Sequence, residues 1–154
     1  MTATTTTSPE FVEQLKQRLS RLTPETSRRW GRMTAHEMVC HLTDSFRTML
    51  GERPVNTAFN WSPFRRWLTR FVALRTPLPW PKGLETLPEV NPHRQGSRPA
   101  EFVRDQSELL AAMHRFVAND AQYRAHPMFG TMSRDDWMRW TFRHVDHHLR
   151  QFGL

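Results

Sequence analysis

Apolar residues recur every three to four positions along most of this chain, the period of amphipathic helices rather than of strands. The first helix is expected from Pro9 to about Leu22. Ser8 caps it, Pro9 takes the first turn, and Phe11, Leu15, Leu19 and Leu22 form its stripe. A connector, Thr23 to Met33, contains Trp30-Gly31. Thr34 then opens a second helix with a capping box completed by Glu37; it runs to about Leu50 and stops at Gly51, with Met38, Leu42, Ser45, Phe46 and Met49 inward. Ser62-Pro63 starts a shorter helix to about Leu74. A long helix spans about Pro99 to Asn119, with Phe102, Leu109, Met113, Phe116 and Val117 inward. The last begins at a Ser133 cap, with Asp136 as box partner, and ends at Gly153. Between the third and fourth helices lies an irregular stretch, Arg75 to Pro99, with prolines at 77, 79, 81, 88, 92 and 99; loops of that length are commonly functional or mobile. No strand pattern or internal repeat interrupts the series. The pattern predicts an all-α fold: four long helices and one extra short helix in a bundle, with a long Pro-rich loop.

Composition narrows this little. The 154 residues make one domain over 9–154 with a tail at 1–8, expected to be disordered. No apolar run approaches the ~20 residues of a membrane span. The threonine-rich start lacks the basic and apolar regions of a secretory signal, and a single cysteine, Cys40, excludes an internal disulfide. A cytoplasmic location is expected. The net charge of +7 and pI of about 11.1 raise the question of nucleic acid. The basic residues are nearly all arginines scattered among Asp and Glu, the tightest pairs being Arg28-Arg29 and Arg65-Arg66, so a solvated surface is expected instead.

The last helix carries the chemistry. His144 and His148 are four apart and leave one face, together with Trp137, Trp140 and Thr141; Asp135, Arg139, Arg143, Asp146 and Arg150 gather opposite. Two imidazoles in an inward stripe need partners. A structural pair is one reading and a shared metal ion the other. A metal needs at least a third protein group, and His41 in the second helix is the best placed. His36, five residues from His41, points away. Glu37 and Asp44 are candidates to orient His41, to ligate, or to transfer protons, and His147 to support the ligands by a hydrogen bond. Cys40 reads as a small core residue, and His93, His114 and His126 as surface or loop residues.

Trp30-Gly31-Arg32-Met33-Thr34 followed by His36-Glu37-Met38 and His41 resembles the second-helix signature of the DinB/YfiT-like superfamily. His144-Val145-Asp146-His147-His148-Leu149-Arg150-Gln151 resembles its last-helix signature, with Leu149-Arg150-Gln151 where the commoner form has Arg-Gly-Gln. Trp80-Pro81-Lys82-Gly83, Leu87-Pro88-Glu89-Val90-Asn91-Pro92 and His126-Pro127-Met128-Phe129-Gly130 resemble one branch known only as a domain of unknown function. The likeness spans nearly the whole chain, in order. It implies a DinB-type four-helix bundle, often a homodimer, with a divalent metal in a cleft at one end. Transferred residue by residue, the ligands are His41, His144 and His148; zinc or nickel suits them first, iron or manganese also. Some relatives are transferases or isomerases using low-molecular-weight thiols such as mycothiol, bacillithiol or glutathione. The implied function is a metal-dependent enzyme activating water or a small thiol substrate, an S-transferase or hydrolase. Lys82, Arg94 and Arg98 of the loop are candidates to bind an anionic substrate. The alternative is a non-catalytic, metal-stabilised stress-response or binding module.

Overall fold

The structure, a computed structural model, describes residues 9–118 and 123–154. The expected tail, the Ser8 cap, the Phe11 side chain and the Asn119 helix end lie outside the described residues. Within them the chain is all-helical: α1 (Pro9–Leu19), α2 (Ala35–Leu50), α3 (Pro63–Arg75), α4 (Phe102–Ala118) and α5 (Arg134–Gln151), with one 3₁₀ turn at Pro88–Val90. The β-type pairing among them is a single bridge, His126 to Gly130. No helix is long and apolar enough to cross a membrane.

Most helix ends follow from their capping residues. Thr34 and Glu37 form the reciprocal capping box of α2. Gly51, in the left-handed region at φ 81°, closes it, and the Glu52 and Gly51 amides bond back to Arg47 and Thr48 carbonyls. Gly153, at φ 78°, does the same for α5, with Leu154 bonding back to Leu149. At the start of α5 only half of the expected box forms. Ser133 accepts the Asp136 amide at 3.2 Å, but Arg75 of α3 takes the Asp136 carboxylate at 2.6 Å. α1 is shorter than expected because its end tightens into i to i+3 bonds, which still deliver Leu22 to the core. α4 starts at Phe102 because the Glu101 carboxylate accepts the Val103 and Arg104 amides.

α2 lies along α4 and against the 3₁₀ turn, while α1 and α3 each lie against α5. The core is drawn mainly from four helices, Leu15 and Leu19 of α1, Met38, Leu42 and Phe46 of α2, Leu109, Met113 and Phe116 of α4, and Trp137, Val145 and Leu149 of α5, with Leu74 added by α3. Phe46, Phe116, Trp137 and Trp140 interlock with ring centroids 5.3–6.0 Å apart, giving a rigid aromatic floor between α2, α4 and α5. α2 is buried well beyond its apolar face, with Thr43, Asp44, Ser45 and Thr48 also enclosed. Each hydroxyl is satisfied by a backbone carbonyl three or four residues back. α2 is the central helix, covered on its polar side by the Pro-rich segment.

His126 lies in a loop, one of the two places expected for it, but not at the surface. It is buried against Phe129 (4.4 Å) and Trp140 (5.7 Å), and its Nδ1 accepts the Met128 and Phe129 amides. Burial pushes its pKa down to about 3. In the unfolded chain the ring takes a proton near its ordinary value of about 6.5. Its stabilising contribution is therefore complete above about pH 6.5 and is lost progressively as the pH falls towards 3. His126→Asn keeps a short acceptor without the titration. The melting temperature of the wild type should fall more steeply than that of His126→Asn between pH 7 and pH 5; parallel slopes would contradict this.

Candidate metal centre

The structure brings His41 of α2 together with His144 and His148 of α5. Their candidate ligand atoms all lie within 4.8 Å of one another. The ring centroids stand 5.3 Å (His41 to His144), 4.8 Å (His41 to His148) and 5.0 Å (His144 to His148) apart. His41 and His144 are buried and His148 is partly exposed, so the cluster meets solvent on the His148 side.

Each outer ring is oriented by a partner that only one tautomer satisfies. His41 Nδ1 is 2.8 Å from the Val90 carbonyl, which can only accept, so Nδ1 carries the proton and Nε2 is left with a lone pair. His148 Nδ1 is 3.1 Å from Gln151 Oε1, and Gln151 Nε2 donates to the Trp30 carbonyl at 2.9 Å. The amide is thereby fixed, and His148 Nε2 is freed. His144 is different: its Nε2 faces His41 Nε2 at 3.2 Å, and its Nδ1 is buried with no hydrogen-bond partner. If Nε2 donates to His41, the orphan is a bare lone pair. If it does not, two lone pairs face each other and an N–H is orphaned. Either state costs ~1–3 kcal/mol without a further partner.

These groups fit a cation. A tetrahedral ion with bonds of ~2.0–2.1 Å holds its imidazole nitrogens ~3.3 Å apart, close to the observed 3.2 Å. Burial is the leading cause that pushes all three imidazoles below their ordinary pKa, and for His144 and His148 neighbouring histidines add to it. The neutral ring is the form that ligates.

The supports come from segments far apart in sequence. Trp140 lies 4.8 Å from His144, and Trp80 of the Pro-rich segment covers it from 5.9 Å. Gly31 lets the Trp30 segment close on α5: a Cβ there would sit 2.3 Å from Gln151 Nε2, at a φ of 82°. The 3₁₀ turn that presents Val90 is itself tied down. Arg53 bonds to the Glu89 carbonyl at 3.2 Å and to Asp44 at 3.2 Å, while Glu89 accepts the Asn56 and Thr57 amides. Asp44 also accepts the Ser97 amide and hydroxyl.

The other sequence candidates fall as follows. Asp44 is engaged with Arg53 and Ser97, and the partner that orients His41 is the Val90 carbonyl. Glu37 accepts the Thr34 amide and meets His93 at 3.3 Å, one helical turn before His41. His147 stands edge-on to His148 at 5.3 Å, between Trp30 and Trp80; its contacts there are with rings. His36 binds Asp105 of α4 at 2.8 Å. Cys40 is buried, and burial followed by Asp105, Asp44 and Glu37 pushes its thiol up to about 12, so it is an unreactive core group. Lys82 lies over Trp30 at 4.4 Å and Arg94 pairs with Glu85 at 3.0 Å. Arg98 lines a separate cavity of about 320 Å³ with Cys40 and Asp105. The Pro-rich segment thus meets the centre through Val90 and Trp80. Sequence reasoning passed over Val90, Arg53, Glu89 and Trp80 as site residues; the Leu87–Pro92 and Trp80–Gly83 motifs carried the signal for three of them.

A family model described as Protein of unknown function (DUF1569) matches residues 13–153. No curated protein and no solved structure matches the chain.

Gln151 gives the most direct test of the supports. Gln151→Leu strips His148 Nδ1 of its acceptor and the Trp30 carbonyl of its donor. It should weaken metal binding ~10–100-fold in a chelator competition, with the three imidazoles intact. Unchanged affinity would show that the amide does not orient the ligand.

Proposed function

The chain belongs to this family of proteins of unknown function, DUF1569, and from that premise we propose that it is a DinB/YfiT-like metalloenzyme with a divalent ion on His41, His144 and His148. The ion is zinc or nickel before iron or manganese, by the affinity of imidazole donors. When bound it supplies Lewis acidity, lowering the pKa of a water molecule or of a low-molecular-weight thiol. The reaction class is transfer of that nucleophile to an electrophile, or hydrolysis. The four-helix-bundle arrangement of this superfamily and a cytoplasmic setting go with the reading.

The observation that carries it is the convergence of the three imidazoles, with the bare Nε2 of His41 only 3.2 Å from His144 Nε2, the separation two nitrogens take on one ion. Three protein donors, rather than four, favour an open position and hence catalysis. The residues divide the remaining tasks. Val90 and Gln151 hold the rings of His41 and His148 in the ligating tautomer. Asp44 acts as a positioning residue through Arg53 and the 3₁₀ turn. Trp30, Trp80 and His147 wall the exposed side and restrict water. Glu37, one turn from His41, is the candidate for accepting the nucleophile's proton.

Elemental analysis of the purified protein should find about one divalent ion per chain, and His148→Ala should lose most of it. Metal-loaded protein should accelerate reaction of at least one member of a thiol and electrophile panel, and His148→Ala should abolish that. Absence of metal from the wild type would contradict the site. Stoichiometric metal that raises the melting temperature, with no turnover, would leave a purely stabilising ion.

A further inference from the structure

The cavity of about 320 Å³ lies on a different side of α2 from the histidines. Cys40, Thr43 and Arg47 line it from α2, and their side chains leave that helix roughly 100–160° round from His41. Arg98, at the end of the Pro-rich segment, and Arg104 of α4 face them across it. The volume is at the lower end of small-molecule sites and more than a bare ion needs. The two carboxylates in the wall are already engaged. Asp105 accepts from His36 at 2.8 Å, from the Ala100 amide at 2.9 Å and from Arg104 at 3.2 Å. Glu108 accepts from Arg47 at 2.7 Å and from Arg115 at 3.5 Å. The guanidinium groups are not matched in return. Arg98 has no hydrogen-bond or ion-pair partner among the described residues. Arg104 holds its acid through Nε and Nη2, and Arg47 meets Glu108 and Glu52 through Nη2 and Nε, so each keeps Nη1 spare among the described residues. The segment that brings Arg98 is fixed at its neighbour: Ser97 donates its amide and hydroxyl to Asp44 at 2.5 and 2.9 Å and accepts from Arg53 at 3.2 Å.

We propose that this cavity is a second ligand site, taking a small organic oxyanion, a phosphate monoester or a carboxylate, on the forks of Arg98, Arg104 and Arg47. Both groups present an edge of two oxygens, which a guanidinium fork meets with two parallel hydrogen bonds. Three cations stand against two acids in the wall, and those acids are shared with His36 and Arg115 outside it, so the surplus charge is positive. Cys40 and Thr43, both buried, give the carbon part of the ligand a floor without a charge. A second metal fits less well here, because each polar atom of Asp105 and His36 that points inward is already paired with the other or with a neighbour. The site is independent of the metal reading, since none of the three histidines lines it. It also gives Arg98 a different task from the one expected of it: Arg98 belongs to this cavity and not to the metal centre.

Isothermal titration of the full chain with inorganic phosphate, glycerol 3-phosphate and succinate, at constant ionic strength, tests it. At least one of the three should bind saturably, one per chain, with a dissociation constant in the millimolar range or tighter. Tighter binding of the two phosphates assigns the site to phosphoryl ligands, and tighter binding of succinate to carboxylates. Arg98→Gln should weaken binding ~10-fold or more. Arg104→Gln should weaken it as well and carries the test if the first variant fails to fold. His148→Ala should bind the same probe as tightly as the wild type, whether or not the histidines hold a metal. No saturable binding of any probe up to ~20 mM overturns the proposal, as does binding that survives both arginine substitutions. Binding that is lost in His148→Ala and kept in Arg98→Gln overturns it too, and moves the anion to the histidines.

Discussion

Three imidazoles, two of them buried and one partly exposed, converge with one ring nitrogen of each turned towards the others. Desolvation keeps them neutral, so no ion pair stabilises the cluster. Hydrogen bonding satisfies only part of it: His41 reaches Val90, His148 reaches Gln151, and His144 Nδ1 reaches nothing. Burying such groups is unfavourable unless something else completes them. A cation would engage the nitrogens that face one another, leaving His144 Nδ1 to carry its proton, and the surrounding structure holds the three rings in the arrangement it would need.

That scaffold is unusually polar for the middle of a small helical domain. α2 buries Asp44 completely, and one chain of contacts runs from Asp44 through Arg53 to the Glu89 carbonyl. The Glu89 carboxylate meanwhile accepts two amides and the Thr57 hydroxyl, which pulls its pKa below the usual carboxylate range against the opposing effect of burial. Such a network has little net value for stability, because desolvation offsets most of the attraction. Its effect here is geometric. It pins a long Pro-rich segment so that one carbonyl meets one ring nitrogen. The aromatic floor of Phe46, Phe116, Trp137 and Trp140 fixes the opposite side, because close-packed rings leave α5 little freedom to shift relative to α2.

The features legible in the sequence were those written in side chains at short range. Thr34 with Glu37, and Ser62 with Pro63, announced two helix starts, and Gly51 and Gly153 two stops. The four-residue spacing of His144 and His148 placed both on one face, and His41 was picked from its position in the second helix. What was hidden depends on the backbone or on the third dimension. The partner of His41 is a carbonyl, which every residue possesses, so the Leu87–Pro92 motif could mark the segment but not the contact that Val90 makes. Asp136 looked like a capping-box acid, but a cation on another helix outcompeted the local amide. His126 is a loop histidine as expected, but its burial against Phe129 and Trp140 depends on contacts that the local sequence does not show. The apolar spacing of α3 says that one face is apolar, not which way that face points; Arg66 and Arg70, by bonding to distant carbonyls, decide it.

A second compact group, His36 and Cys40 of α2 with Asp105 of α4, offers nitrogen, sulfur and oxygen beside the first. There the polar atoms already satisfy one another, with Asp105 taking His36 and the Ala100 amide, and the thiol is held protonated. The contrast between the two clusters separates the possibilities experimentally. X-ray absorption at the edge of the bound metal reads its neighbours directly. A metal on the three histidines predicts imidazole scattering from three nitrogens at ~2.0–2.1 Å and no sulfur; a sulfur neighbour at ~2.3 Å, or fewer than three imidazoles, would contradict it.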